Sequence, residues 1–182
     1  SSYRQRAQQR LGPMLALTAL LWPIGLMALE PLKPVPSVDL ERFMGAWYVI
    51  ASTPTFIDRE SVNAIEHYEL EEDGTISPTF TFRKGSIDGP ERTYRPRGFI
   101  QPDGSNAVWG MQFIWPIKAD YQIVYLDEDY SRVIIAREKR DLVWLMAREP
   151  NIPDEEYKML LGRIIALGYD AADLRLTPQQ WD

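Results

Sequence analysis

From Trp47 to about Met146 the chain alternates apolar and polar residues in short runs: WYVIAST, AIEHYEL, TISPTFTF, TYRPRGFI, NAVWGMQFIW, DYQIVYLD, RVIIARE and LVWLMA. Turn signals separate them at Asp73-Gly74, Asp88-Gly89-Pro90, Asp103-Gly104 and Asp127-Glu128-Asp129. Eight runs in about 100 residues, joined by hairpin-length connections, predict an all-β antiparallel domain, either a sandwich or an up-and-down barrel. One strong helix signal follows. Pro153-Asp154-Glu155-Glu156 suits a helix N-terminus, Gly168 suits its end, and Tyr157, Leu160, Leu161, Ile164, Ile165 and Leu167 between them form an apolar stripe. That stripe predicts a helix packed on the outside of the sheet. LERFMG, beginning at Leu40, predicts a short helical turn before the first strand.

Strand parity sorts the side chains into faces. In NAVWGMQFIW one face carries Trp109, Met111, Phe113 and Trp115; in AIEHYEL one carries Ala64, Glu66, Tyr68 and Leu70. Phe80 and Phe82 share a face, as do Leu142, Trp144, Met146 and Arg148. Periodicity alone fits a solid core as well as a hollow one. The excess of Trp, Tyr, Phe and Met over Val and Ile on these faces favours the wall of a cavity shaped for a greasy ligand.

The ends of the chain read differently. Residues 1–29 carry Arg4, Arg6 and Arg10 and no acid, then an uncharged run, LGPMLALTALLWPIGLMAL. A basic start before an apolar run is the pattern of an export signal or a membrane anchor. At about 1.5 Å per residue, a run of this length reaches across a bilayer. The arginines would stay cytoplasmic, which puts the rest of the chain on the exported side of the envelope. Residues 30–39, with Pro31, Pro34 and Pro36, predict an extended, semi-rigid linker. The folded domain then spans residues 40–182.

Charge and composition narrow the chemistry. The net charge is −6, and the first 29 residues contribute +3, so the remaining 153 carry −9. Such a surface argues against nucleic acid as a partner. The chain has no cysteine, which removes disulfides, thiolate metal sites, cysteine nucleophiles and the lipid-modified cysteine of an N-terminal lipoprotein. His67 is the single histidine; parity places it opposite Tyr68, facing outward, with no nucleophile–base–acid set around it. The acidic cluster Glu69, Glu71, Glu72 and Asp73 reads as a solvated turn and lacks the ligand spacing of a calcium loop. No cofactor, metal site or catalytic residue is expected.

Three blocks resemble the lipocalin family. Gly45-Ala46-Trp47-Tyr48 resembles its opening G-x-W motif. Asp120-Tyr121, followed by Tyr125, resembles its second block, with Ala119 where the family usually has threonine. Trp144 to Pro150, with Arg148 ahead of the helix, resembles the third. The resemblance covers residues 39–182 and is nearest the bacterial lipocalins and apolipoprotein D-like proteins, which are usually anchored through a cysteine that this chain lacks. It implies an eight-stranded barrel with a ligand cup. Gly45, Trp47, Asp120, Tyr121 and Arg148 would then be structural, with Arg148 stacked on Trp47 at the closed end. The pocket positions it implies are Tyr68, Phe80, Trp115 and Trp144, to which parity adds Trp109, Met111 and Phe113.

The function so implied is binding, storage or transport of a small hydrophobic ligand at the cell envelope, on the periplasmic side. A fatty acid or a lysophospholipid would place its tail in the cup and its head near Arg83, Lys84, Arg95 or Arg97, with Tyr94 also at the mouth. Two other readings stay open. In one, a barrel filled by its own side chains serves as a membrane-tethered interaction module; in the other, an enzyme acts on a lipid or carotenoid through a carboxylate such as Glu66. A homodimer is compatible with each.

Overall fold

The computed structural model describes residues 28–182; the apolar run and its basic flank lie almost wholly outside them. A short helix α1 (Leu40–Phe43) leads into β1 (Gly45–Ser52), β2 (Ser61–Leu70), β3 (Ile76–Lys84), β4 (Glu91–Tyr94), β5 (Arg97–Ile100), β6 (Val108–Ile114), β7 (Ile117–Leu126), β8 (Arg132–Ala136) and β9 (Val143–Ala147). Helix α2 (Asp154–Ala166) and a two-residue strand β10 (Arg175–Leu176) complete the chain. Neighbouring strands pair antiparallel in sequence order, and β1 also pairs with β9, which closes the sheet on itself. β4 and β5 both lie against β3, at opposite ends of it. They are one bent strand, interrupted at Arg95-Pro96 because proline has no N–H to give to a ladder. Counted so, the barrel has eight strands, as the alternation and the family resemblance imply.

Cross-strand partners point to the same side of a sheet, so register identifies the interior. Trp47 pairs with Glu66 and Glu66 with Phe80; Ile100 pairs with Trp109 and Trp109 with Tyr121; Ile123 pairs with Ile135 and Ile135 with Trp144. Most of these residues form one buried cluster with Phe43, Tyr68, Phe82 and Met111 inside the barrel, with Phe80, Ile100 and Trp144 packed against it. A second cluster lies outside. Leu160 and Ile164 of α2 are fully buried with Ile50, Ile134 and Leu145 of the barrel's outer face. Burying each such side chain contributes about 1.5–3 kcal/mol. The helix begins with three acids in its first turn and ends with Arg163, favourable at each pole of its dipole. Gly168, at φ +106, carries the chain out of it.

Two segments contribute more than their composition suggests. The proline-rich stretch is docked on the barrel rather than standing free of it as a linker. Leu32 and Val38 are buried. The Val35 N–H donates to Ile123 O at 2.9 Å and the Val38 N–H to Ser105 O at 2.8 Å, so the segment runs into the barrel wall before α1 caps its end. At the other terminus the chain returns to the first two strands. β1 shifts register between Val49 and Ala51, and β2 between Val62 and Ile65. Such bulges leave backbone carbonyls without ladder partners. The Gln179 side-chain amide donates to two of them, Val49 O and Ala64 O, each at 3.0 Å.

Candidate functional site: the barrel interior

The end of the barrel beneath α1 is filled. Phe43, Trp47, Tyr68 and Trp109 are each no more than 1% exposed, with ring centroids 5.2–5.6 Å apart from Phe43 to the other three. Their polar edges are satisfied within the protein. Trp47 Nε1 donates to Phe43 O at 2.9 Å and Trp109 Nε1 to Asn106 O at 2.8 Å. The hydroxyls of Tyr68 and Tyr121 bond to each other across the barrel. Below them Arg148 seals the end. Its guanidinium carbon stands 3.8 Å from the Trp47 ring centroid. Its nitrogens donate to the carbonyls of Ala46, Arg42, Phe43 and Tyr130 at 2.8–3.1 Å. Four loose carbonyls and one aromatic face converge on a single planar cation, which is why arginine is suited to this position.

Above this floor the packing loosens. Glu66, Phe80 and Trp144 project into the barrel but remain only half-buried. Their surroundings are aromatic: Phe80 lies 5.3 Å from Phe82, Phe82 stacks at 6.2 Å on Tyr94, and Trp144 lies 5.3 Å from Tyr121. Glu66 is unusual among them. It is half-buried by surface area yet deep among protein atoms, and the second property governs its ionisation. Burial pushes its carboxyl from 4.5 up to about 8, because a charged carboxylate is poorly solvated there. Burial, mutual contact and the Glu66 charge likewise hold the Tyr68 hydroxyl well above its usual value, and burial and Glu66 do the same to Tyr121. At neutral pH the cup therefore presents uncharged groups.

The seven residues singled out as ligand contacts divide into three sets. Tyr68, Trp109 and Met111 lie inside the barrel but are fully buried by their neighbours. Phe80 and Trp144 lie inside with surface to spare. Phe113 and Trp115 stand 52% and 80% exposed at the rim. Parity carries those two beyond its range, since the β6–β7 register shifts between Met111 and Ile114 and the strand ends at Ile114. Parity puts Phe82 on the same face as Phe80, and the structure has both on the inner wall. Phe43 is a floor residue that the sequence marked merely as the apolar member of a helical turn.

The expected basic rim also needs correction at one position. Arg97 donates to Asp73 Oδ2 at 2.8 Å and so lies on the outer wall, tied to the β2–β3 turn beside α1. Arg83 is 3.6 Å from Glu91. Lys84 and Arg95 are exposed, while Arg92, which pairs with Phe82 in register, comes to the inner side at the mouth. His67 faces outward beside Glu69 at 3.8 Å, and Asp120 accepts from the Glu138 backbone N–H at 2.8 Å on the outer face. Among the described residues no cluster of histidine or acidic side chains could hold a metal ion. Two open concavities of about 260 and 220 Å³ flank α2, and both are outside the barrel.

Comparison with known proteins agrees with this geometry. The model of the Lipocalin-like domain matches residues 38–179. Temperature-induced lipocalin-1 of Arabidopsis thaliana is 31% identical over 162 residues, covering 82% of this chain and 84% of that protein. The outer membrane lipoprotein Blc of Citrobacter freundii is 27% identical, covering 87% and 91%. Apolipoprotein D of Bos taurus is 24% identical, covering 82% of each. Among solved structures, insecticyanin from the tobacco hornworm Manduca sexta superposes with a TM-score of 0.63 at 16% identity, over 85% of this chain and 86% of that one. A closed eight-stranded barrel, an arginine-stacked tryptophan at its sealed end, one helix outside and these relatives together show that the chain belongs to the lipocalin family.

Proposed function

We propose that the protein binds the acyl chain of a fatty acid or lysophospholipid in the upper half of the barrel and carries or stores it at the cell envelope. One observation carries the reading. Inward-facing Phe80, Trp144 and Glu66 keep accessible surface, while the aromatic layer beneath them has none. An aromatic wall with few polar groups suits a hydrocarbon tail. The depth available is that of the upper barrel only, because the floor is built from the protein's own rings. Arg92 and Lys84 at the mouth stand where a headgroup would emerge. The envelope location rests on the apolar N-terminal run and on relatives named as outer membrane lipoproteins. Residues 1–29, with their basic start and apolar run, are the candidate membrane element.

The complete burial of Trp47, Tyr68, Trp109 and Met111 favours a second reading, a filled barrel whose outer surface does the binding. A titration of delipidated protein separates the two. Oleate or lysophosphatidylcholine should shift intrinsic tryptophan fluorescence saturably, and Trp144→Ala should weaken the binding. A flat response from folded protein would leave the filled barrel as the better description.

A further inference from the structure

The largest exposed apolar side chains are concentrated at one pole of the molecule. Phe56 and Ile57 lie in the β1–β2 loop, and Phe113, Ile114, Trp115 and Ile117 lie around the β6–β7 turn, at 39–80% exposure. β1 and β6 both start beside α1, where Trp47 and Trp109 touch Phe43. Their far ends therefore open on the same side of the barrel, around the mouth of the cup. The other exposed apolar groups, among them Leu29, Leu70, Met159, Ile165, Leu176 and Trp181, are spread over several elements, which is ordinary for a protein surface.

Charge is arranged along the same axis. The four loops at the mouth with the strand ends that adjoin them, residues 53–60, 83–92, 113–118 and 137–141, hold eight basic and six acidic side chains. The four segments at the sealed end, residues 39–44, 69–75, 101–106 and 127–131, hold ten acids and one base, with Arg97 and Arg148 reaching in from strands. In a chain of net charge −6, the apolar pole is the one that is not acidic. Anionic lipid headgroups would repel the sealed end and accept the mouth, and aromatic and aliphatic tips of this kind enter the interfacial layer of a bilayer.

We infer that the mouth of the barrel docks on an anionic lipid bilayer, with the β6–β7 turn and the β1–β2 loop inserted among the headgroups and the cup opening against the lipid. The occupant is a membrane surface rather than a protein because the apolar groups stand on two separate loop tips at an opening, with lysine and arginine on the adjoining strand ends. A chain held this way could take up or release an acyl ligand without passing it through water. The inference stands apart from the cup's ligand: it holds or fails whatever the titration of the cup shows.

The absence of cysteine makes the test direct. In the full chain, Ile114→Cys and, separately, Glu72→Cys are labelled with an environment-sensitive dye. Each is mixed with phosphatidylcholine vesicles with and without phosphatidylglycerol. With anionic vesicles the dye at position 114 should brighten several-fold and shift to the blue, while the dye at position 72 should not respond. Phe56→Asp, at a fully solvated tip, should reduce the response at 114. If both dyes respond alike, or if the protein sediments with vesicles and neither responds, residues 1–29 alone hold it at the membrane and the docking is wrong.

Discussion

Glu66→Gln tests the character of the cup. The substitution keeps the shape of the side chain and removes its charge. Glu66 titrates near 8 in the folded barrel and near 4.5 when solvated. Its folded value lies above its unfolded value, so between these limits the folded state retains a proton that the unfolded state has released. Wild-type stability therefore falls as pH rises through that window and levels off above about pH 8. At about 1.36 kcal/mol per pKa unit, the loss between pH 5 and pH 9 has a ceiling of about 4 kcal/mol. Water entering the half-open cup lowers this, and we expect about 2 kcal/mol. The groups facing Glu66 are Tyr68 and Tyr121 beside it, with Arg148 under Trp47 and Arg92 and Tyr94 at the mouth. Burial holds the Tyr68 and Tyr121 hydroxyls well above their usual value, so both keep their protons in this window, and whatever other groups contribute is shared by the two proteins. Urea unfolding of wild type and Glu66→Gln at pH 5, 7 and 9 should thus show a stability difference that grows with pH in favour of glutamine. Parallel profiles would refute the argument: Glu66 would then be hydrated like a surface acid, and the upper barrel would be a water-filled well rather than a greasy cup.

Two further substitutions probe the frame that holds the cup. Arg148→Ala takes the guanidinium from the carbonyls of Arg42, Ala46 and Tyr130, leaves Phe43 O with the Trp47 indole N–H alone, and uncovers Trp47; with hydrogen bonds to a charged donor contributing about 1.5–3 kcal/mol each before non-additivity, the unfolding free energy from urea titration should fall by at least about 3 kcal/mol. Arg148→Lys should recover little of this, since an ammonium cannot reproduce the planar fork. Gln179→Ala leaves Val49 O and Ala64 O without their shared donor and should cost about 1–3 kcal/mol. Hydrogen exchange should show the protection loss confined to β1, β2 and the C-terminal tail.

The strands were legible in the sequence because their period of two survives wherever one face is buried and the other wet. TYRPRGFI reads as one strand and is one strand in the barrel, and its alternation holds across Arg95-Pro96: Arg92, Tyr94, Gly98 and Ile100 share the inner face, so Arg97 lies on the outer wall. Parity located the inner wall where a strand stayed in register. Phe80 and Trp144 lie on the inner wall by parity, whereas Phe113 and Trp115 lie past a register shift that no single-strand pattern records. The docking of residues 31–39 was hidden for a different reason. Proline fixes the extended shape of the segment, but its two decisive hydrogen bonds go to Ile123 and Ser105, far along the chain. The clasp by Gln179 was equally hidden, since it depends on two bulges opening side by side.

The division of the barrel into a sealed, acidic end and an open, apolar end follows from these same local facts. Trp47, Tyr68 and Trp109 fill the floor because α1 brings Phe43 beneath them and Arg148 supplies the donors that the chain turns there need. Bulky residues can then be omitted only higher up, where Glu66 interrupts the aromatic wall. A carboxyl in that place destabilises the empty barrel once it ionises, and among the described residues no arginine or lysine side chain pairs with it. Its retention of a proton at neutral pH ties the stability of the cup to its dryness. An acyl chain that displaces water around Glu66 should raise the pKa of that group further, so ligand binding and proton uptake should reinforce each other.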